Sequence, residues 1–196
     1  MNNHTFIIGI TGGSGCGKTT LLNLIRDRGG LILDCDAIYH ELLKTDKAML
    51  SAIDARFPGV MEDGVLNRKK LGAIVFADEK ALLDLNAITH AAVKQEVLRR
   101  LESSPKLAAI DAIGLFEGHL AELCHVTVAV TAPIEDRVAR LVRRDGISEE
   151  YARARIAAQH DDGWFREKCT VVLENNSNLD AFATKCLAFL AHIGIM

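Results

Sequence analysis

Proline is scarce in this chain of 196 residues. Only Pro58, Pro105 and Pro133 occur, and none interrupts a convincing periodic segment. Long apolar runs are missing: none approaches the roughly 20 residues that span a bilayer, so no membrane partner is expected. An excess of one charge is missing too. Lys+Arg number 23 against 26 Asp+Glu, a net charge of −3, which argues against broad capture by nucleic acid or an anionic membrane. No C-x-x-C pair exists among Cys16, Cys35, Cys124, Cys169 and Cys186. An odd number at wide spacing reads as reduced thiols of a cytoplasmic protein, not as a disulfide frame or a zinc site. Met1-Asn2-Asn3-His4-Thr5 lacks the basic flank of a signal peptide, and the apolar run behind it breaks at Gly12-Gly13. Internal repeats and an N-K-x-D guanine signature are also lacking. What remains is 49% hydrophobic and 25% charged, ordinary for one soluble domain with a full core. Nothing in the sequence sets an oligomeric state.

The apolar runs that are present are short. Phe6–Ile10, Leu31–Leu33, Leu107–Ile110, Val126–Val130 and Val171–Leu173 read as buried strands. Between them the pattern is helical: from the Gly-rich turn to about Arg28, at about 134–144 and 148–160, and from Leu179 onward. The block from Ala37 to Glu102 is mostly helical and too long for a simple crossover, so an inserted helical subdomain over 37–104 is expected. Its long helix, Lys80 to Leu101, carries Leu82, Leu85, Ile88, Ala92 and Val93 on one face. Strands separated by helices predict a mainly parallel α/β sheet covered on both faces.

Gly12-Gly13-Ser14-Gly15-Cys16-Gly17-Lys18-Thr19 matches G-x-x-x-x-G-K-[ST]. The glycines let the backbone wrap a phosphate with its N–H groups turned inward. The loop follows a strand and opens a helix, whose N-terminus favours the anion. Lys18 then bridges the β- and γ-phosphates, and the Thr19 hydroxyl ligates Mg²⁺. The bland alternative is a Gly-rich turn beside a surface lysine. Cys16 reads only as a small residue in the loop.

Leu33-Asp34-Cys35-Asp36 sets two carboxylates at the carboxyl edge of the second strand, where parallel sheets bind ligands. Asp36 is a candidate general base, or else the N-cap of the next helix. Asp34 either orients Mg²⁺ through water or supports Asp36. Arg137, Arg140 and Arg144 form a stripe at i, i+3 and i+7, suited to clamping the charge that spreads over a transferring phosphoryl group. With Arg143, Arg153 and Arg155 they suggest a lid, and the rival reading is a solvated face paired with Glu135, Asp136, Asp145, Glu149 and Glu150. Trp164 and Phe165 either pack the lid hinge or touch a base. The histidines His40, His90, His119, His125, His160 and His192 are scattered, and His90 is retained as a ligand candidate. Asp111-Ala112-Ile113-Gly114 matches the D-x-x-G of switch proteins, a weak pattern with two fixed positions.

These residues together resemble the dephospho-CoA kinase family, from about Ile8 to Asn176. Thr11 through Thr19 is similar to its T-G-G-x-G-x-G-K-[ST] loop. Asp34-Cys35-Asp36-Ala37-Ile38-Tyr39-His40 is similar to its D-x-D followed by A-[IL]-x-H. Arg68 with Leu71 and Val75-Phe76, Leu85-Asn86-Ala87-Ile88 with His90, and Leu115-Phe116-Glu117 resemble further family motifs. So do Arg140-Leu141 with Arg144-Asp145-Gly146, the run to Gln159, and Asn175. Departures are Ala91 for proline, Ile113-Gly114 within P-L-L-F-E, Cys169-Thr170 for A-D, and Ser177 for glycine.

The resemblance implies a three-layer P-loop NTPase fold of the nucleoside-monophosphate-kinase type. It also implies a helical acceptor subdomain and a lid at 136–167 within one domain, 1–196. The implied reaction takes ATP with Mg²⁺ and phosphorylates the ribose 3′-hydroxyl of dephospho-CoA, without nucleic acid. Asp36 would accept the proton, Lys18 and Thr19-bound Mg²⁺ would hold the γ-phosphate, and Arg140 would stabilise the transition state. Gly13, Ser14, Gly15, Cys16, Gly17, Thr20, Arg144 and Asn175 would bind ATP, with Asn175 near adenine. Asp34, Asp36, His40, Arg68, His90 and Glu117 would line the acceptor pocket. The competing readings are another small-molecule kinase, uridine-kinase-like, and a nucleotide-binding regulator without catalysis.

Overall fold

A computed structural model describes residues 5–196, so the reading of the leader at Met1–His4 lies outside the described residues. The first half runs β1 (Phe6–Thr11), α1 (Lys18–Arg26), β2 (Leu31–Asp34), α2 (Cys35–Thr45), α3 (Lys47–Arg56), β3 (Met61–Glu62), β4 (Val65–Leu66), α4 (Arg68–Val75) and α5 (Glu79–Leu101). The second half runs β5 (Leu107–Asp111), a short 3₁₀ turn (Ala121–Leu123), β6 (Val126–Thr131), α6 (Ile134–Asp145), α7 (Glu149–Ala157), α8 (Asp162–Lys168), β7 (Val171–Glu174) and α9 (Leu179–His192).

The five apolar runs pair as one parallel sheet in the order β2-β5-β1-β6-β7. Alternation along each strand sends side chains to opposite faces. Ile8 and Ile10 join Leu21, Ile25, Phe182 and Leu190 in a core beneath α1 and α9. Ile7 joins Leu33, Ile38, Val97 and Leu115 in a second core beneath α2–α5. Burying each such branched side chain contributes about 1.5–3 kcal/mol. The helices of 35–101 therefore share a core with the sheet. Among the described residues no helix is long and apolar enough to cross a membrane.

Three local readings change. The inward stripe of α5 is Ala81, Leu85, Thr89, Val93, Val97 and Leu101, while Leu82, Ile88 and Ala92 flank it half-buried. A hairpin, β3–β4, interrupts the helical block. Asp63 (φ 48°) and Gly64 (φ 79°) turn it, and Asp-Gly is the residue pair such a left-handed two-residue turn favours. The helix expected at 148–160 stops at Ala157, and α8 follows as a separate helix capped by Asp161.

Candidate active site

The carboxyl edge of the sheet carries the phosphate loop between β1 and α1. Gly17 opens α1 at φ 98° with no side-chain cap, so the first-turn N–H groups remain available to an anion. A Cβ at Gly12 would lie 2.2 Å from the Val130 carbonyl, and one at Gly17 would lie 2.4 Å from Asn175 Nδ2. Only glycine lets the loop pass this close to its supports.

Those supports come from the far end of the chain. Arg137 Nε donates to the Ser14 carbonyl at 3.0 Å, and its Nη2 donates to Gln159 Oε1 at 3.1 Å. Gln159 Oε1 accepts the Ser14 N–H at 2.8 Å, and its Nε2 donates to Ser14 Oγ at 2.9 Å. Arg140 Nη1 donates to the carbonyls of Gly15 and Cys16 at 3.1 and 3.3 Å. Asn175 Nδ2 donates to the Cys16 carbonyl at 2.9 Å, and the residue is buried behind the loop. Burial pushes the Cys16 thiol up, consistent with a packing role.

A cleft of about 600 Å³ opens in front of the loop. Gly13 through Thr19, Asp34, Asp36, Asp111, Ile113, Arg140, Arg143, Arg144 and Arg155 line it. Thr20 lies half-buried outside that lining. Lys18 Nζ donates to the Gly12 carbonyl at 2.9 Å and stands 3.9 Å from Asp111 Oδ1. At that distance the ammonium attracts the carboxylate without a hydrogen bond, and buried Asp111 Oδ1 has no hydrogen-bond partner. Burial pushes the Asp111 carboxyl up to about 6; Lys18 lowers it, and Asp34 and Asp36 raise it. The orphaned Asp111 Oδ1 and the Thr19 residue line the same cleft, and carboxylate and hydroxyl oxygens are the donors a hard cation takes. The residues present fit Mg²⁺.

Asp111 is the site residue that sequence reasoning missed. Its signals are an acid at the end of a buried strand and the weak D-x-x-G match of Asp111-Ala112-Ile113-Gly114, neither of which assigns it to this site. The strand order brings it in: β5 lies between β2 and β1, so Asp34 and Asp111 are register partners. The same geometry settles the capping question. Asp34, not Asp36, caps α2, accepting the Ala37 N–H at 3.0 Å. Asp36 sits in the first turn of that helix, exposed to the cleft.

Beside the cleft lies a second cavity of about 250 Å³, walled by Tyr39, Leu85, Asn86, Thr89, His90, Val93 and Leu120 among others. Asp36 and Ile113 are the two residues common to both spaces. His90 lines this cavity. Arg68, at the start of α4, is exposed and its charge acts on Tyr39, whose phenol is pushed up mainly by burial. His40 is exposed beside Tyr39 and lines neither space. Glu117, expected to line this cavity, does not; its Oε1 lies 2.7 Å from His160 Nε2. The His160 ring stacks on Trp164 at 3.8 Å, and Trp164 meets Phe116 and Phe165 edge-on. Trp164 and Phe165 thus pack against Phe116, His160 and Ala129 and line neither space.

The arginine stripe divides. Arg137 is 5% exposed and faces the back of the loop. Arg144 and Arg155 are held by Asp145, and Arg153 by Glu135 and Glu149. Arg143 lines the cleft with no ion pair among the described residues.

The family model for dephospho-CoA kinase matches residues 6–181. The chain belongs to the dephospho-CoA kinase family. A dephospho-CoA kinase of Thermus thermophilus is 36% identical over 193 residues, 97% of this chain and 93% of that one. Its counterpart from Latilactobacillus sakei is 31% identical over 181 residues, 90% of each chain. A crystal structure from Thermus thermophilus matches with a TM-score of 0.81 at 34% identity, covering 97% of this chain and 99% of that one. Shikimate kinase from Bacteroides thetaiotaomicron, at 14% identity and a TM-score of 0.57, shares the fold alone. Membership makes the chain a kinase of the final step of coenzyme A synthesis, with ATP as a substrate, on a mainly parallel P-loop kinase fold. The uridine-kinase-like and non-catalytic readings are not favoured.

Proposed function

We propose that this member of the dephospho-CoA kinase family uses Asp36 as the base that activates the acceptor's ribose 3′-hydroxyl for attack on ATP. One observation carries this reading: Asp36 borders both the phosphate cleft and the adjoining cavity. A base must stand where donor and acceptor meet. In the reaction the 3′-oxygen gives its proton to Asp36 and forms a bond to the γ-phosphorus. The bond from that phosphorus to the β–γ bridging oxygen breaks, and ADP leaves.

The loop N–H groups not engaged elsewhere, those of Gly15, Gly17 and Thr19 among them, would hold the phosphates, while Lys18 bridges β and γ and Arg140 offsets charge on the equatorial oxygens. Thr19 and Asp111 would hold Mg²⁺, with Asp34 nearby. When bound, the ion neutralises charge on the β- and γ-oxygens. Residues 37–104 form the acceptor side, with His90, Arg68 and Glu117 around its cavity, and 136–167 form the lid. Arg144 would reach ATP on releasing Asp145. Asn175 would act by holding the loop, since its amide is engaged with Cys16. His40 has the weakest support of the acceptor residues. Five free cysteines suit a cytoplasmic enzyme.

The test is ADP release from ATP and Mg²⁺ with dephospho-CoA, uridine or shikimate. Only dephospho-CoA should stimulate, and Asp36→Asn should lower kcat by about 10²–10⁴-fold. Stimulation that survives in Asp36→Asn would remove the base; absent stimulation by dephospho-CoA would remove the acceptor.

A further inference from the structure

Arg137 is a cation in an electrostatically adverse position. Its side chain is buried, yet among the described residues no carboxylate lies within ion-pair distance of it. Its helix neighbours Glu135 and Asp136 are turned to Arg153 and Arg140. Its polar partners are a carbonyl and an amide oxygen, both uncharged. It is also the fourth residue of α6, near the positive end of that helix dipole. The loop pressed against it opens α1, whose positive end lies close by. A Cβ on Gly13 would sit 2.0 Å from Arg137 Nη2, and one on Gly15 would sit 2.7 Å from the Arg137 carbonyl. Burying a charge without a counter-ion is costly. A neutral side chain could brace the Ser14 carbonyl equally well.

We propose that Arg137 is a positioning residue whose missing counter-ion is the polyphosphate of the nucleotide. It does not line the cleft, so it acts through the loop. Its charge lies behind the Gly13–Gly15 stretch of the loop, which lines the cleft on its other side. In the empty enzyme the charge strains the loop region; with ATP bound, the same charge is neutralised across a few ångströms of protein with little water between. The gain scales with the number of phosphates and is absent for a nucleoside. This inference rests on the phosphate loop holding ATP.

Arg137→Gln keeps a donor for the Ser14 carbonyl and removes the charge. Arg137→Lys keeps the charge and loses the fork. Thermal melting with and without ATP–Mg²⁺, and titrations with ATP and with adenosine, separate the two properties. The expected result for Arg137→Gln is an unchanged or higher melting point when empty, with ATP binding weaker by about tenfold or more. Adenosine binding should change less than twofold, and the acceptor KM should hold. Arg137→Lys should bind ATP more tightly than Arg137→Gln. A purely structural brace predicts the reverse: Arg137→Gln melts lower when empty and keeps its ATP affinity, or outperforms Arg137→Lys. Either of those results overturns the proposal. If both variants fail to fold, salt titration of the wild type decides. ATP affinity that falls no faster with salt than adenosine affinity would overturn it. A wild-type chain that ATP does not stabilise would overturn the donor reading as well, and would be seen before any variant is made.

Discussion

Ionised Asp111 is a liability to the empty protein. Its carboxyl lies at about 6 when folded, above the roughly 3.9 of an unfolded chain. The folded state therefore binds more protons between about pH 4 and 6, and stability falls as pH rises through that window. A shift of about 2 units corresponds to an upper bound on the order of 3 kcal/mol. Asp111→Asn in EDTA should flatten this slope and melt about 5 °C higher at pH 8, while losing most activity with Mg²⁺. Equal pH slopes in both proteins would show that Asp111 is already ionised at no cost. At Gly13, alanine would collide with the Arg137 guanidinium and approach Gln159. Gly13→Ala should abolish ATP-induced stabilisation, read as a melting-point shift. The loop glycines are legible in sequence because they stand at the spacing of a phosphate loop, with Gly12, Gly15 and Gly17 at positive φ. Asp111 is not, because its value depends on which strand lies beside it.

The elements place these residues with modest local energies. Asp34 caps α2, and α2 carries Asp36 in its first turn, so losing the cap should loosen the base. Asp34→Ala should cost about 1 kcal/mol of stability and lower kcat. Asp34→Asn preserves a cap; activity near wild type there would assign Asp34 to capping alone, and a large loss would add a role for its charge near the metal. The strands were legible because short apolar runs with turn signals have few alternatives. The hairpin carried a legible Asp63-Gly64 signal inside a block whose helical periodicity outweighed it. Apolar periodicity points Leu82, Ile88 and Ala92 of α5 inward, whereas in the fold they are only half-buried. Thr89 occupies the core instead, its hydroxyl satisfied by the Leu85 carbonyl at 3.0 Å.

Across the whole molecule, α6 and the segment after α7 bear on the loop through Arg137, Arg140 and Gln159. The same segment meets the turn after β5 through the His160–Glu117 contact. ATP should therefore slow amide hydrogen exchange over 137–168 and leave α9 unchanged. Uniform slowing would point to global stabilisation only. Phe165 packs beneath this segment against Ala129 and Cys169. Phe165→Ala should cost about 3–5 kcal/mol and lower the melting point by roughly 6–20 °C.

By itself the sequence determined the phosphate loop, the five strands and Asp36 as a candidate base. Each is encoded within about ten residues, by glycine freedom, apolar runs or spacing. Only the tertiary structure decided that Asp34 is the cap, that Asp111 joins the cleft, and that Arg137 turns behind the loop. Ser14 and Gln159 are separated by 145 positions, and Glu117 and His160 by 43. Such pairings follow from how two cores pack on opposite faces of one sheet. Local preference carries no information about that arrangement.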